Sequence, residues 1–349
     1  MFSTYRPEDV TVLLKDISGM VTPLGTKERE KLIQSGVPYS EMLPIEYVPS
    51  KEYLDMFFRA MKLYSKMTAD AVRSVSAKIF ADKQPEVVLV SLARAGTPVG
   101  ILIKRFIEQM YHIPVFHYTI SIIRGKGIDG NAMKYILTRH KPESIQFVDG
   151  WTGKGAIQRE LVEAMGDYPG VSPGLAVLSD PAGIAEKAGT NDDFLIASSC
   201  LNSTVSGLLS RTFFRKDIIG PEDFHGAAFY RELEDKDLTY TFIDSVVAFF
   251  SAAEPLRQEN EVSTSGMDEV MRICRDFCIS DVNLVKPSIG EATRVLLRRI
   301  PWKILVHSLD DDEHLGHLYQ LAREKGVQLV EYPLKNYRAC GLIRSMADQ

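Results

Sequence analysis

Short apolar segments that alternate with helical segments constrain the fold of this chain more than any other feature. Residues 86–90 are apolar after the first position and rich in β-branched side chains, which is typical of a strand buried on both faces. Similar segments recur at 113–121, 144–150, 174–180 and 194–198, separated by glycine-bearing loops and helical segments. This alternation predicts an α/β fold with a mainly parallel sheet.

Changes in this pattern divide the chain into three regions. Residues 1–50 are irregular, with scattered proline and glycine, and are predicted to form an N-terminal hood. Residues 51–255 open on a strong helical pattern over 51–82 and form the main α/β domain. After a polar run, residues 265–349 alternate again on a smaller scale, which predicts a second α/β/α unit ending in a helix over 336–347.

The composition excludes several classes of protein. The chain has 349 residues, of which 45% are hydrophobic and 25% charged, as in ordinary globular proteins. Its net charge of −5 argues against binding of nucleic acid through overall charge. We see no signal peptide, no apolar stretch near the ~20 residues of a membrane helix, and too few cysteines for a disulfide scaffold. We therefore expect a cytoplasmic protein with no membrane partner.

The loop at 147–157 carries the strongest chemical signal. Asp149 comes directly after a predicted buried strand, at the sheet edge where α/β proteins bind ligands. Gly153, Lys154 and Gly155 then begin a helix, whose N-terminus suits a phosphate group. The spacing differs from that of a P-loop. A glycine-rich turn with a surface lysine explains the same residues without any ligand.

A second loop, at 91–100, adds to this signal. Arg94, Ala95 and Gly96 follow a predicted strand, and an arginine suits bidentate contact with phosphate. Two such loops at neighbouring strand ends predict a ligand with two phosphate groups. The basic loop at 124–130 is then a candidate mobile lid over that ligand, although an ordinary solvated loop fits its sequence equally well.

These loops resemble the substrate-binding loops of type I phosphoribosyltransferases. The segment SLARAGTPVG (91–100) is similar to their pyrophosphate loop, and FVDGWTGKGAI (147–157) is similar to their phosphoribosyl-diphosphate signature. Gly150 stands where a second acid is usual in that signature. The segments YSEMLP (39–44), SCLNSTVSGL (199–208) and DFHGAAFY (223–230) carry a closer resemblance. Through them, residues 1–240 resemble divergent phosphoribosyltransferases of bacterial tellurium-resistance and stress gene clusters, some of which are filed as StiP-type cysteine proteases.

The resemblance implies a type I phosphoribosyltransferase-like parallel sheet with an N-terminal hood. It implies transfer of ribose 5-phosphate from phosphoribosyl diphosphate, with Mg²⁺, to a nucleobase-like or RNA-derived acceptor. Asp149 would hold the ribose and a metal-bound water. The other catalytic positions would be Arg94, Arg124 and Lys126. The positions that would bind the co-substrate are Ala93, Ala95, Gly96, Gly150, Thr152, Gly153, Lys154 and Gly155.

Two other functions stay open at the level of sequence. A cysteine nucleophile needs a neighbouring histidine, and Cys200 with His225 would serve in a cysteine protease or hydrolase. Those two residues, with Asp180 and Arg211, could instead line the acceptor pocket of the transferase. A non-catalytic nucleotide sensor is the third option, because Gly150 would weaken the grip on the ribose hydroxyls.

The C-terminal region has a resemblance of its own. The segment SIGEATRVLLRR (288–299) is similar to the Asn-Glu-x-Thr-Lys helix start of Pelota and kink-turn-binding ribosomal proteins, and NYRACGLI (336–343) is similar to a later segment of that family. The resemblance implies an RNA-binding module and structured RNA as a partner. The basic face could also be a solvated helix surface. The oligomeric state is open, a homodimer being one option. The implied RNA contacts are Gly290, Glu291, Arg294 and Arg298.

Overall fold

A computed structural model describes residues 2–256, here called the N-terminal part, and residues 265–344, the C-terminal part. The strands are β1 (Thr11–Val12), β2 (Lys15–Asp16), β3 (Val87–Leu92), β4 (Val115–Ile120), β5 (Ile122–Ile123), β6 (Gly127–Ile128), β7 (Ile145–Val148), β8 (Leu175–Ser179), β9 (Lys187–Thr190), β10 (Gly226–Ala227), β11 (Val285–Pro287), β12 (Pro301–Val306), β13 (Gln328–Glu331) and β14 (Ala339–Ile343). The helices are α1 (Thr26–Gln34), α2 (Lys51–Lys83), α3 (Gly96–Tyr111), α4 (Gly130–Leu137), α5 (Ala156–Met165), α6 (Thr239–Val247), α7 (Gly266–Asp276), α8 (Ile289–Arg298) and α9 (Asp312–Glu324).

The N-terminal part is built on a six-stranded parallel sheet in the order β1-β4-β3-β7-β8-β9. Every residue of β3 and of β7 is buried, because helices cover both faces of a parallel sheet. The predicted mixed α/β fold with a parallel sheet is confirmed. Because β3 and β7 are neighbours, the loops that follow them leave the same edge of the sheet side by side.

Gly96 shows how closely these two loops approach. A Cβ atom at this position would lie 2.5 Å from the carbonyl oxygen of Val148, which is closer than real Cβ contacts come. Only glycine therefore fits where α3 begins against the end of β7.

Residues 2–50, predicted as a hood, contribute to two sheets. Strand β1 pairs in parallel with β4 and completes the edge of the main sheet, and β2 pairs with β10. The segment between α1 and α2 then runs along the side of the molecule that carries the cavity described below.

The longest helix, α2, has 33 residues and begins where the sequence predicts. Its buried face, which includes Phe57, Tyr64 and Val72, packs against the sheet and the core around it. Across residues 2–256 and 265–344, no helix has both the length and the apolar character that spanning a membrane requires.

The apolar segment 194–198, predicted as a strand, does not form one. The edge position next to β8 belongs to β9, and residues 197–200 make a single 3₁₀ turn that packs on α2. A five-residue apolar run is compatible with any buried conformation, so the docking of this segment decided its structure.

The C-terminal part has a four-stranded sheet in the order β11-β14-β12-β13, with α7, α8 and α9 around it. The predicted final helix over 336–347 is wrong within the described residues. Ala339–Ile343 instead form β14, which is buried throughout and pairs antiparallel with β11 and β12. Residues 345–347 of that prediction lie outside the described chain.

Hydrogen bonds from buried groups join the two parts. The Asp193 carboxylate accepts the backbone N–H of Ile289 at 3.0 and 3.1 Å and that of Arg338 at 2.9 Å. The Tyr53 hydroxyl donates to the carbonyl oxygen of Leu297 at 2.7 Å. One apolar core includes side chains of both parts, so α8 is held firmly against the N-terminal part.

Candidate functional site

A cavity with a volume of about 450 Å³ lies where three segments of the chain meet. Residues 29–53 form one wall, and the C-terminal part forms another with residues 286–299. The third wall comes from the main domain and includes Arg94, Cys200 and Arg211. We call it the Cys200 cavity.

Cys200 ends the 3₁₀ turn Ala197–Cys200 and is 1% exposed to bulk solvent. Two residues further on, the Asn202 side-chain oxygen accepts a hydrogen bond from Arg94 at 2.8 Å. Arg94 also donates to the carbonyl oxygen of Leu209 at 3.0 Å. The guanidinium group is therefore held beside the segment that carries the thiol.

The C-terminal part touches this segment from the other side. The Arg294 guanidinium lies over the Trp151 ring at 4.5 Å and pairs with Glu291 at 3.1 Å. A Cβ atom at Gly290 would lie 3.5 Å from Ser199, which precedes Cys200. The start of α8 thus forms one wall of the cavity.

Positive charge dominates the lining of the Cys200 cavity. Two of its cations are paired, Arg299 with Glu30 at 2.9 Å and Arg294 with Glu291. The third carboxylate, Glu46, accepts the backbone N–H of Ser203 at 3.3 Å. The remaining cations have no ion pair among the described residues: Arg29, Arg94, Arg211 and Lys286.

His225 does not share this cavity. Its buried ring bonds the Ser121 hydroxyl at 2.9 Å and lies against the Phe214 ring, and burial lowers its pKa. No histidine lines the cavity in the part of the chain that the structure describes. The predicted pairing of Cys200 with His225 is absent from the described contacts.

A second, smaller cavity of about 310 Å³, the Asp149 cavity, adjoins the first and contains the predicted phosphate loop. One Asp149 oxygen accepts the backbone N–H of Gly150 at 2.7 Å, and burial raises the pKa of this carboxyl to about 6. The loop Thr152–Gly155 lines the same cavity. Ala93, Ala95 and Gly96 follow β3, and Ala95 lines this cavity.

Lys154 serves as an anchor between the two parts. Its ammonium group donates to the carbonyl oxygens of Val282 and, at 3.1 Å, Val285. Burial, and then the nearby charge of Lys286, lower its pKa to about 8. The cation predicted to meet a phosphate is thus occupied by the backbone of the C-terminal part.

The Asp180 carboxylate is likewise used by hydrogen bonds within the protein. It accepts the Thr152 hydroxyl and the backbone N–H groups of Ile184 at 3.1 Å and Ala185 at 2.9 Å. The residue is buried and lines neither cavity. This carboxylate therefore stabilises a turn of the main domain.

The loop predicted as a lid is a hairpin of β5 and β6. The Glu160 carboxylate accepts two of its backbone N–H groups at 2.9 to 3.0 Å. Arg124 donates to the Asn283 side chain at 2.6 Å, and Lys126 pairs with Glu41 at 3.6 Å. These contacts hold the loop in place, and its closure over a ligand stays a prediction.

The predicted RNA contacts face the N-terminal part. Gly290 lies near Ser199, and Glu291 and Arg294 line both cavities. Arg298 is the last residue of α8, and its side chain lies outside the described structure. The helix start that the resemblance assigns to RNA is therefore an internal wall in this arrangement.

Sequence reasoning did not identify Arg29, Glu46 and Lys286 as site residues. They belong to segments far apart along the chain, and the docking of the C-terminal part brings them together. The sequence offered one signal for this cavity, because Cys200 is the single cysteine before residue 274.

Comparison with known proteins identifies two families. The family described as "Tellurite-like stress resistance cysteine protease StiP" matches residues 3–247. The chain belongs to the StiP family. A relative named "Cysteine protease StiP" from Acinetobacter baylyi (strain ATCC 33305 / BD413 / ADP1) is 36% identical over 364 aligned residues, covering 98% of this chain and 94% of the relative. The family described as "PELOTA RNA binding domain" matches residues 264–345, as the sequence indicated.

This family assignment contradicts the predicted phosphoribosyltransferase activity and favours the alternative based on a cysteine. The family match does not support phosphoribosyl diphosphate or a nucleobase-like acceptor as a ligand. It also does not support a phosphoribosyltransferase-like assignment of the fold. The contacts explain the error, because Lys154 and Thr152 are used inside the protein. No cluster of three or more metal-ligating side chains occurs in residues 2–256 and 265–344, and binding of Mg²⁺ near Asp149 stays a prediction.

Proposed function

We propose that this StiP-family chain hydrolyses peptide bonds with Cys200 as the nucleophile. One observation supports this most strongly. Cys200 is the only cysteine in residues 3–247, which match the StiP family, and it lines a cavity of about 450 Å³. The other three cysteines lie in the C-terminal part.

The surroundings of Cys200 favour the reactive form of its thiol. The thiolate is the nucleophilic species, and nearby cations stabilise it. Arg94 and Arg211 line the same cavity without a carboxylate partner among the described residues. We assign thiolate stabilisation to these arginines, a task that an imidazolium performs in many cysteine hydrolases.

A carboxylate is the available group for proton transfer. Glu46 lines the cavity, contacts the backbone of Ser203 close to Cys200, and has no ion pair among the described residues. Glu291, in contrast, is paired with Arg294. We therefore assign Glu46 as the general acid that gives a proton to the leaving amine.

The reaction balances with these groups and one water. The Cys200 sulfur attacks the carbonyl carbon, the C–N bond breaks, and the amine leaves with a proton from Glu46. Water then attacks the thioester and gives its proton to Glu46. The products are a free carboxylic acid and the regenerated thiolate.

Selective alkylation tests the reactivity of Cys200. With limiting iodoacetamide at about pH 6.5, where an ordinary thiol is about 1% ionised, we expect Cys200 to react at least about tenfold faster than the exposed Cys278. Peptide mass mapping measures both rates, and the denatured chain serves as the control in which all four cysteines react alike. Preferential labelling of Cys278 in the folded protein would argue against the proposal.

The match of residues 264–345 to an RNA-binding family supports a second function, binding of structured RNA. Because Gly290 and Arg294 face the N-terminal part, we propose that RNA reaches them only when α8 leaves the Cys200 cavity. A fluorescent RNA hairpin should then change the alkylation rate of Cys200 at least about fivefold, with the affinity reduced in Arg294→Ala. RNA binding with an unchanged alkylation rate would place RNA on another face.

A further inference from the structure

The Cys200 cavity contains more positive charge than its own carboxylates neutralise. Arg29, Arg94, Arg211 and Lys286 line it without an ion pair among the described residues. Like charges gathered in a partly enclosed space repel one another, and the repulsion is weakly screened there. The folded chain therefore maintains an unfavourable cluster of charge next to the thiol.

Arg211 is the clearest member of this cluster. Burial, and then the neighbouring charges of Arg29 and Arg94, lower its pKa to about 10. Its guanidinium group makes no hydrogen bond among the described contacts and lies 5.4 Å from the Tyr39 ring. The N–H donors of its planar guanidinium group are thus available to a ligand that enters the cavity.

Arg29 has a similar position. Its Nε atom is buried and has no hydrogen-bond partner in the described structure, and burial lowers its pKa. Buried donors of this kind are rare in proteins unless something else satisfies them. Arg29 and Arg211 come from different segments of the chain, so a single flexible loop does not explain the cluster.

The carboxylates of the cavity do not balance this charge. Glu30 pairs with Arg299 and Glu291 with Arg294, which leaves Glu46, whose charge acts on Arg29, against four cations among the described lining residues. The unpaired cations therefore exceed the free acids, and an external anion is the ligand that balances them.

We infer that the Cys200 cavity binds acidic side chains of the substrate, so that the chain cleaves peptides with aspartate or glutamate beside the scissile bond. This inference rests on the proposed peptidase function and adds its specificity. Carboxylates on the substrate would pair with Arg211 and Arg29, and binding would neutralise charge that the cavity's own carboxylates leave uncompensated. A neutral peptide would leave these cations unpaired, which is how buried polar sites reject ligands.

Two internally quenched peptides of equal length test the specificity. They differ only in having glutamates or glutamines on both sides of the scissile bond. We expect kcat/KM to be at least about a hundredfold higher for the glutamate peptide. Arg211→Gln should reduce this ratio at least about tenfold through a higher KM for the glutamate peptide, whereas any loss of thiolate stabilisation should lower kcat for both peptides alike. Equal cleavage of both peptides by the wild-type chain would overturn the inference.

Arg215→Gln is the matched control for this variant. Arg215 is four positions away, its side chain is 40% exposed, and it pairs with Asp217 outside the cavity. The ratio of the two peptides should stay unchanged in this variant. A similar loss in both variants would show that general charge, and not the cavity, selects the peptide.

Binding to Cys200→Ala separates the inference from the proposed function. Calorimetry with this variant uses the glutamate peptide, the glutamine peptide and inorganic pyrophosphate. Binding of the glutamate peptide alone supports the acidic subsite, even if the wild-type chain cleaves no peptide and the peptidase function fails. Binding of pyrophosphate but of neither peptide would overturn the inference, because the cations would then serve a phosphate ligand.

Discussion

Replacing Cys200 with alanine is expected to lower kcat/KM for peptide hydrolysis by at least about a thousandfold. Covalent catalysis is lost without the sulfur, and groups that act with a nucleophile contribute little once it is gone. Steady-state hydrolysis of the glutamate-containing peptide measures the effect. Retention of more than about a tenth of the wild-type rate would contradict the assignment.

Two controls show that such a loss is chemical. Cys278→Ser replaces an exposed cysteine of the C-terminal part and should keep the wild-type rate. Cys200→Ser preserves the shape of the buried side chain, so its free energy of unfolding should stay within about 1 to 2 kcal/mol of wild type. An inactive, well-folded Cys200→Ser variant would assign the loss to the thiol.

Replacing Asp193 with alanine is expected to cost about 2 to 4 kcal/mol of unfolding free energy. This carboxylate accepts two backbone N–H groups of the C-terminal part, and each buried donor left without a partner costs about 1 to 3 kcal/mol. Urea unfolding measures the change. The rate of hydrolysis should also fall, because α8 forms a wall of the Cys200 cavity.

The neighbouring residue provides the control for Asp193. Asp192 pairs with Arg338 at 2.8 Å, but its side chain is 39% exposed, and an exposed ion pair contributes about 0 to 1 kcal/mol. Asp192→Ala should therefore have little effect on unfolding. Equal destabilisation by the two substitutions would show that the hydrogen bonds from buried N–H groups to the Asp193 carboxylate are not what joins the N-terminal and C-terminal parts.

Asp193 also predicts a pH dependence of stability. Burial raises its pKa from about 3.8 to about 7, so between these values the folded chain binds a proton that the unfolded chain lacks. The contribution of Asp193 to stability should therefore fall as the pH rises from about 4 to about 7. Asp193→Asn should remove this contribution, while the opposite contributions of His117 and His317, whose pKa values burial lowers to about 4 and about 3, should remain. An unchanged slope in Asp193→Asn would contradict this account.

The parallel sheet was predictable from the sequence because its central strands, β3 and β7, consist mostly of apolar residues. Residues 86–90 and 144–150 show this pattern, and β3 and β7 lie within or next to these ranges as neighbours. The approach of the two loops followed from that pairing. Segments 194–198 and 339–343 could not be assigned in the same way, because a short apolar run adopts whichever conformation its docking surface provides.

The Cys200 cavity was much harder to predict. Arg29 and Lys286 reach it from opposite ends of the chain, and no local pattern marks their contact with Cys200. Lys154 shows the converse difficulty, because a lysine in a glycine-rich turn fits a phosphate and a backbone carbonyl equally well. Only the contacts with the C-terminal part show that the Lys154 ammonium group donates to backbone carbonyl oxygens.

Detection of a covalent intermediate tests the central claim most directly. The glutamate-containing peptide is mixed with the wild-type chain, the reaction is quenched in acid, and peptide mass mapping locates any acyl group. We expect a thioester on the peptide that contains Cys200, formed before steady-state turnover and absent from Cys200→Ala. Hydrolysis without any acyl group on Cys200, and at an unchanged rate in Cys200→Ala, would contradict the account.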